Sequence, residues 1–190
     1  MKLLRPIAVR ALMQVAPRAA VAMTGTGAMI GYEASIHDLR GTLPTNGTYG
    51  TRDIEDVQGM VWHHSATTAQ SIKTIAQFHT MTKGWPGIAY HFAIGWDGVI
   101  YQMHDVETVS YHAQGYNSKT IGAVLIGNYD QREMTPEMEE AAIALSEYLR
   151  DRYDLKFSWL HRDTKATACP GKYAAEFLQE IQYGPLPKKK

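Results

Sequence analysis

A single cysteine, Cys169, stands among 190 residues, so no intrachain disulfide can form and the fold is not a disulfide scaffold. Charge of one sign is lacking as well. The 19 Lys and Arg balance 19 Asp and Glu, so bulk charge makes no case for nucleic acid as the main partner. Long apolar runs are missing too. Ala19 to Ile30 is rich in Ala, Gly and Met, and is too short and too polar to read as a membrane span. No acid occurs before Glu33, whereas Lys2, Arg5, Arg10 and Arg18 do. Basic residues ahead of a weakly apolar segment leave three readings of residues 1–32 open: an export signal, a weak membrane anchor, or a flexible arm. No internal repeat is present. A chain of this length buries a sizeable core in one domain without disulfides, and a monomer is expected.

Three segments follow from composition. Residues 1–50 read as an N-terminal arm, 51–183 as the folded domain and 184–190 as a disordered basic tail. Residues 38–57, with abundant Gly, Pro, Thr and Asn, read as a linker or irregular approach to a core that starts near Gly59. Met60-Val61-Trp62 suits a strand with His63 at its end. Residues 70–82 suit a helix with Ile72, Ile75, Ala76 and His79 on one face. Residues 88–95 and 99–103 suit two strands joined by the turn Trp96-Asp97-Gly98, and 121–127 suits a central buried strand. Thr135 is placed to cap a helix that opens on Pro136 and carries Met138, Ala141, Ala142, Leu145, Tyr148 and Leu149 as a stripe. A short strand over 157–160 and a helix over about 172–182 complete an α/β fold, a mixed sheet flanked by helices.

His63 after one strand, His161 after another and Cys169 in the following loop form a donor set that zinc accepts. Three protein ligands leave a fourth tetrahedral position for water, as in catalytic sites. By themselves these residues leave other readings open, since a lone cysteine is also found buried and inert, or reactive. His37, His79 and His104 carry no motif and read as ordinary surface or half-buried residues. His91 follows Tyr90 in a strand and reads as structural. Asp163 either orients a neighbouring ligand or caps its loop.

The words VWHHSAT, AYHF, HAQGYN with IGAVLIG, and HRDTKATACPG occur in this order. Together they resemble the type 2 N-acetylmuramoyl-L-alanine amidases, a family of small phage endolysins and peptidoglycan recognition proteins, over about residues 58–182. The resemblance implies a mixed sheet flanked by helices. It implies one catalytic Zn²⁺ on His63, His161 and Cys169, with Tyr90 assisting. In His63-His64-Ser65-Ala66 the family pattern selects His63 as the ligand and leaves His64 in the variable place. Thr167 stands two before the ligand cysteine, where some phage members carry lysine and recognition proteins threonine. Lys165, nearby, reads as a surface residue. His112 matches a histidine along the substrate groove, and His64 and His112 are the candidate substrate-binding residues. The implied reaction is hydrolysis of the amide between N-acetylmuramic acid and L-alanine in peptidoglycan or muropeptides. It would act on the cell wall, in the periplasm or outside the cell. The rivals are a non-catalytic peptidoglycan receptor on the same fold and a cysteine hydrolase using Cys169 with His161. No glutamate accompanies His63 as in H-E-x-x-H proteases.

Overall fold

The structure, a computed structural model, describes residues 35–68 and 70–187. The export, anchor and arm readings of residues 1–32, and any membrane contact through them, lie outside the described residues. Among the described residues no helix is long and apolar enough to cross a membrane.

The strands are β1 (His37–Asp38), β2 (Gly59–His64), β3 (Phe92–Ile94), β4 (Ile100–Gln102), β5 (Thr120–Leu125) and β6 (Phe157–Leu160). They form one sheet in the order β1-β4-β3-β5-β2-β6. Neighbours are parallel except for the β3–β4 hairpin. Its turn is closed by Gly95 N–H donating to the Val99 carbonyl at 2.9 Å and by the Asp97 carboxylate accepting from Val99 N–H at 3.2 Å. β2 and β5 are buried along their whole length, as apolar central strands of a parallel array must be.

The helices are α1 (Ile72–Gln77), α2 (Pro136–Tyr153), α3 (His161–Thr164) and α4 (Lys172–Ile181). Ser71 caps α1, accepting from Thr74 N–H at 3.2 Å. α1 continues as a wider π turn over Phe78–Thr82, marked by Lys83 N–H donating to the Phe78 carbonyl. Thr135 caps α2 through Met138 N–H at 3.2 Å, and the stripe read from the sequence is buried. The mixed sheet flanked by helices is therefore the α/β architecture that the sequence implies.

Register places the site. His63 pairs with Val124, which pairs with Ala93, and laterally paired residues share a face. Val124 and Ala93 pack with Ile75, Ala76, Ile88, Met103 and Ile126 in one core cluster, with Tyr90 against it. His63 thus lies on the face covered by α1. His64 pairs with Leu125 and points the other way.

Two segment boundaries differ from the sequence reading. The fold begins before residue 51: β1 pairs with β4, Asn46 N–H donates to the Pro86 carbonyl at 2.8 Å, and the buried Tyr49 hydroxyl donates to the Gly87 carbonyl at 2.8 Å. A two-residue edge strand and bonds to distant carbonyls leave no periodic pattern, so residues 35–50 read as an arm. At the other end, Tyr183 accepts from Ser158 N–H at 3.0 Å and Pro185 accepts from the Trp159 indole at 2.8 Å. Gly184 and Pro185 therefore lie along β6 instead of opening a disordered tail.

Candidate metal centre

β2 and β6 run parallel, and Trp62 pairs with Leu160 at their ends. The next residues, His63 and His161, consequently leave the same end of the sheet, with ring centroids 4.4 Å apart. His161 opens α3. The Asp163 carboxylate accepts from Leu160 N–H at 2.8 Å and caps that helix, and Gln182 donates to it at 2.7 Å. Asp163 thus serves as a cap. Arg162 N–H then donates to the Cys169 carbonyl at 3.1 Å, and its guanidinium to the Ala168 carbonyl at 2.6 Å, which folds the loop back. The loop leaves through Gly171 (φ 92°), where a Cβ would stand 2.5 Å from the Tyr129 carbonyl carbon. Only glycine allows that approach.

The outcome is convergence. One ligand atom each from His63, His161 and Cys169 lies within 4.8 Å of the others. His63 Nδ1 is 3.8 Å from Cys169 Sγ, and Sγ accepts from His64 N–H at 3.4 Å. His161 Nε2 is buried with no hydrogen-bond partner among the described residues. Burial first, then the charges of Lys165 and His64, lowers His161 to about 4. Burial, with His161 and His112 adding to it, holds His63 well below its ordinary value. Burial pushes the Cys169 thiol up to about 11, against the pull of the His64 N–H and the Arg162 charge. At neutral pH the set is two neutral imidazoles and a thiol. Once the thiol loses its proton, these residues match the ligands of a zinc site with an open fourth position. The orphaned His161 nitrogen fits such an ion.

Tyr90 stands beside the cluster, its ring 5.2 Å from that of His63. Burial, and then the Cys169 charge, raises its phenol well above the ordinary range, so it keeps its proton. The segment before it is clamped by two histidines that carried no sequence motif. His104 Nε2 donates to the Ile88 carbonyl at 2.7 Å, and His79 Nδ1 accepts from Ala89 N–H at 3.1 Å. His79 comes from the π turn. No local signal could have found these two, because their partners are backbone atoms brought near by folding. His37 is exposed. Thr167 Oγ1 accepts from Cys169 N–H at 3.3 Å, and Lys165 is exposed.

The two candidate substrate-binding histidines are both buried. His64 Nδ1 accepts from Tyr129 N–H at 3.2 Å on the far face of β2. His112 sits behind His63 rather than in a groove. Its Nδ1 lies 3.2 Å from His63 Nε2 and its Nε2 3.1 Å from the Thr120 carbonyl, so both ring nitrogens are engaged within the protein. His91 is held as the sequence suggested: Nδ1 accepts from Gly122 N–H at 3.0 Å and Nε2 donates to the Thr108 carbonyl at 2.8 Å. Arg52, inside the supposed linker, is buried and donates to the carbonyls of Val106, Asn117 and Thr120.

Comparison with known proteins finds relatives of one family. The peptidoglycan-recognition protein LB of Drosophila melanogaster is 32% identical over 136 residues, covering 63% of this chain and 59% of that protein. The chain therefore spans less than two thirds of that relative's length. The endolysin of Enterobacteria phage K11 is 33% identical over 116 residues, covering 57% of this chain and 76% of the endolysin. The solved structure of the N-acetylmuramoyl-L-alanine amidase LysC from Clostridium intestinale URNW superposes with a TM-score of 0.67 at 28% identity, over 76% of this chain and 96% of LysC. A structure of a mutant Drosophila PGRP-LB in complex with tracheal cytotoxin superposes with a TM-score of 0.61 at 25% identity, over 74% of this chain and 92% of that one. The family model Amidase_2, N-acetylmuramoyl-L-alanine amidase, matches residues 53–172. The chain belongs to the N-acetylmuramoyl-L-alanine amidase family.

Proposed function

We propose that this protein is a zinc-dependent hydrolase of the amide bond between N-acetylmuramic acid and L-alanine in bacterial peptidoglycan, acting on the cell wall. The observation that carries the reading is the convergence of His63, His161 and Cys169 within 4.8 Å, with a buried imidazole nitrogen left without a partner. A complete His/His/Cys set favours an enzyme over a receptor on the same fold, and it occupies Cys169 as a ligand instead of a nucleophile. In such a site zinc supplies polarisation of the scissile carbonyl and a lowered pKa for water in the open position.

The remaining work falls to the chain. His63 and His161 enter as neutral donors, since burial keeps both unprotonated at neutral pH. Cys169 enters as thiolate and gives up one proton on loading. Its negative charge is shared with the His64 N–H. Tyr90 keeps its phenolic proton and donates a hydrogen bond toward the oxygen on which charge develops. Thr167 accepts from the Cys169 N–H and has a hydroxyl proton to offer as a second donor. An open groove of about 510 Å³, lined by Ala66, Thr67, Thr68, Gln70, Asn128 and Gln131, borders the loop that leaves β2. Its hydroxyls and amides suit a sugar–peptide chain better than an apolar ligand.

Digestion of purified peptidoglycan followed by mass analysis tests the reading. Stem peptides with a free L-alanine amine and uncut glycan chains are expected. New reducing ends without free alanine amines would overturn it in favour of a glycosidase, and binding without any cleavage would favour the receptor.

A further inference from the structure

Behind His63 runs a hydrogen-bonded line whose polarity is set by the member that has no choice. The Thr120 carbonyl oxygen can only accept. His112 Nε2 lies 3.1 Å from it, so in the neutral ring Nε2 bears the proton and Nδ1 is a lone pair. The Thr120 hydroxyl donates to the Tyr116 carbonyl at 2.8 Å, so toward His112 Nε2 at 3.3 Å it too is an acceptor and does not reverse the line. His63 Nε2 stands 3.2 Å from the His112 lone pair and must supply the proton there. His63 Nδ1 is then the lone pair, and it faces Cys169 Sγ at 3.8 Å.

The packing holds this arrangement. Arg52 donates to the same Thr120 carbonyl at 2.9 Å. The His112 ring lies against β5 at Gly122, where a Cβ would stand 2.6 Å from its Cγ and 2.9 Å from its Nδ1. Any larger residue on that strand would take the ring's place.

We infer that the line from the Thr120 carbonyl through His112 to His63 is a tautomer lock, in which His112 is a positioning residue that keeps the His63 proton on Nε2 and presents its Nδ1 to the metal. The inference rests on His63 being a zinc ligand, as proposed above. An outer partner of this kind is typically worth about 10–100-fold in metal affinity.

The test uses the full chain. In metal-free wild type with ¹⁵N-labelled histidine, nuclear magnetic resonance should find His63 as the Nε2–H tautomer; an Nδ1–H tautomer would overturn the lock, whether or not the variants fold. Zinc affinity is then measured by competition with a chromophoric chelator. His112→Leu, which removes the acceptor, should weaken binding by about 10–100-fold. His112→Asn, whose Oδ1 can accept where Nδ1 does, should recover most of the loss. Wild-type affinity in His112→Leu overturns the lock. Failure of the wild type itself to bind zinc overturns the metal reading instead, and the tautomer measurement still decides the line.

Discussion

Two polar clusters meet at His112, and they differ in how their hydrogen bonds are satisfied. On one side Arg52, His91, Ser110 and Thr120 form a closed set. Arg52 is spread over three backbone carbonyls, His91 uses both ring nitrogens, and Ser110 lies 3.3 Å from His91 Nδ1. On the other side His63, His161 and Cys169 form an open set, with His161 Nε2 unpartnered and the lone pair of His63 Nδ1 facing sulfur. The closed set is buried throughout, whereas in the open set His63 is buried and His161 and Cys169 are half-buried. A group left short of partners is costly in a folded interior and calls for a reason. Orphans occur elsewhere, on Arg132 and Tyr183 for example. What sets the open cluster apart is three ligand-capable atoms within 4.8 Å.

The contrast is sharpest when one donor is taken from the open set. His63→Ala or Cys169→Ala should lower zinc affinity by about 10³-fold and abolish most hydrolysis. Metal analysis of the purified variants decides this; zinc retained in both would remove the cluster as the metal site. Tyr90→Phe comes next. It should keep the zinc and slow turnover by about 10²-fold, read as kcat on soluble muropeptide. Unchanged kcat would remove Tyr90 from the mechanism.

Arg52→Met, in the closed set, should show the opposite pattern. Loss of a buried cation leaves several carbonyls unpaired and should cost about 3 kcal/mol of stability in urea unfolding, while zinc affinity of the folded protein shifts only a few-fold. A large loss of metal with unchanged stability would erase the distinction between the clusters.

Acid should act on the open set through Cys169. Its thiol, raised to about 11 without metal, must lose a proton to bind, whereas His161, lowered to about 4, and His63, lower than ordinary, are already neutral. Protons therefore compete for one ligand only. Zinc affinity should rise about tenfold per pH unit between about pH 5 and 7, below the range in which zinc-bound water ionises, and a slope near two there would show a histidine also releasing a proton. The smallest effect belongs to His64→Ala. It should keep its zinc and lose about 1–2 kcal/mol of stability, because Tyr129 N–H loses its acceptor. Zinc lost here but kept in His63→Ala would move the register by one residue.

Much of the molecule is legible in the sequence. α2 could be read from Thr135, Pro136 and its apolar stripe, since capping and periodicity are local properties. The central strands could be read from continuous apolar runs, and the sheet-with-helices architecture followed from their alternation. The four motif words carried the resemblance and the expectation for His63, His161 and Cys169; the structure places those three together at one end of parallel strands.

Tertiary structure alone decided the rest. Residues 35–50 joined the sheet through a two-residue edge strand, and Arg52 became buried among carbonyls more than fifty positions away in the chain. His79 and His104, ordinary by sequence, clamp the approach to Tyr90. His112 moved from an expected groove to the place behind His63. Each of these depends on meeting a backbone atom, which has no residue identity. Composition, period and motif encode which residues are apolar, which cap and which can bind metal. They carry no record of where a distant carbonyl will point once the strands have packed.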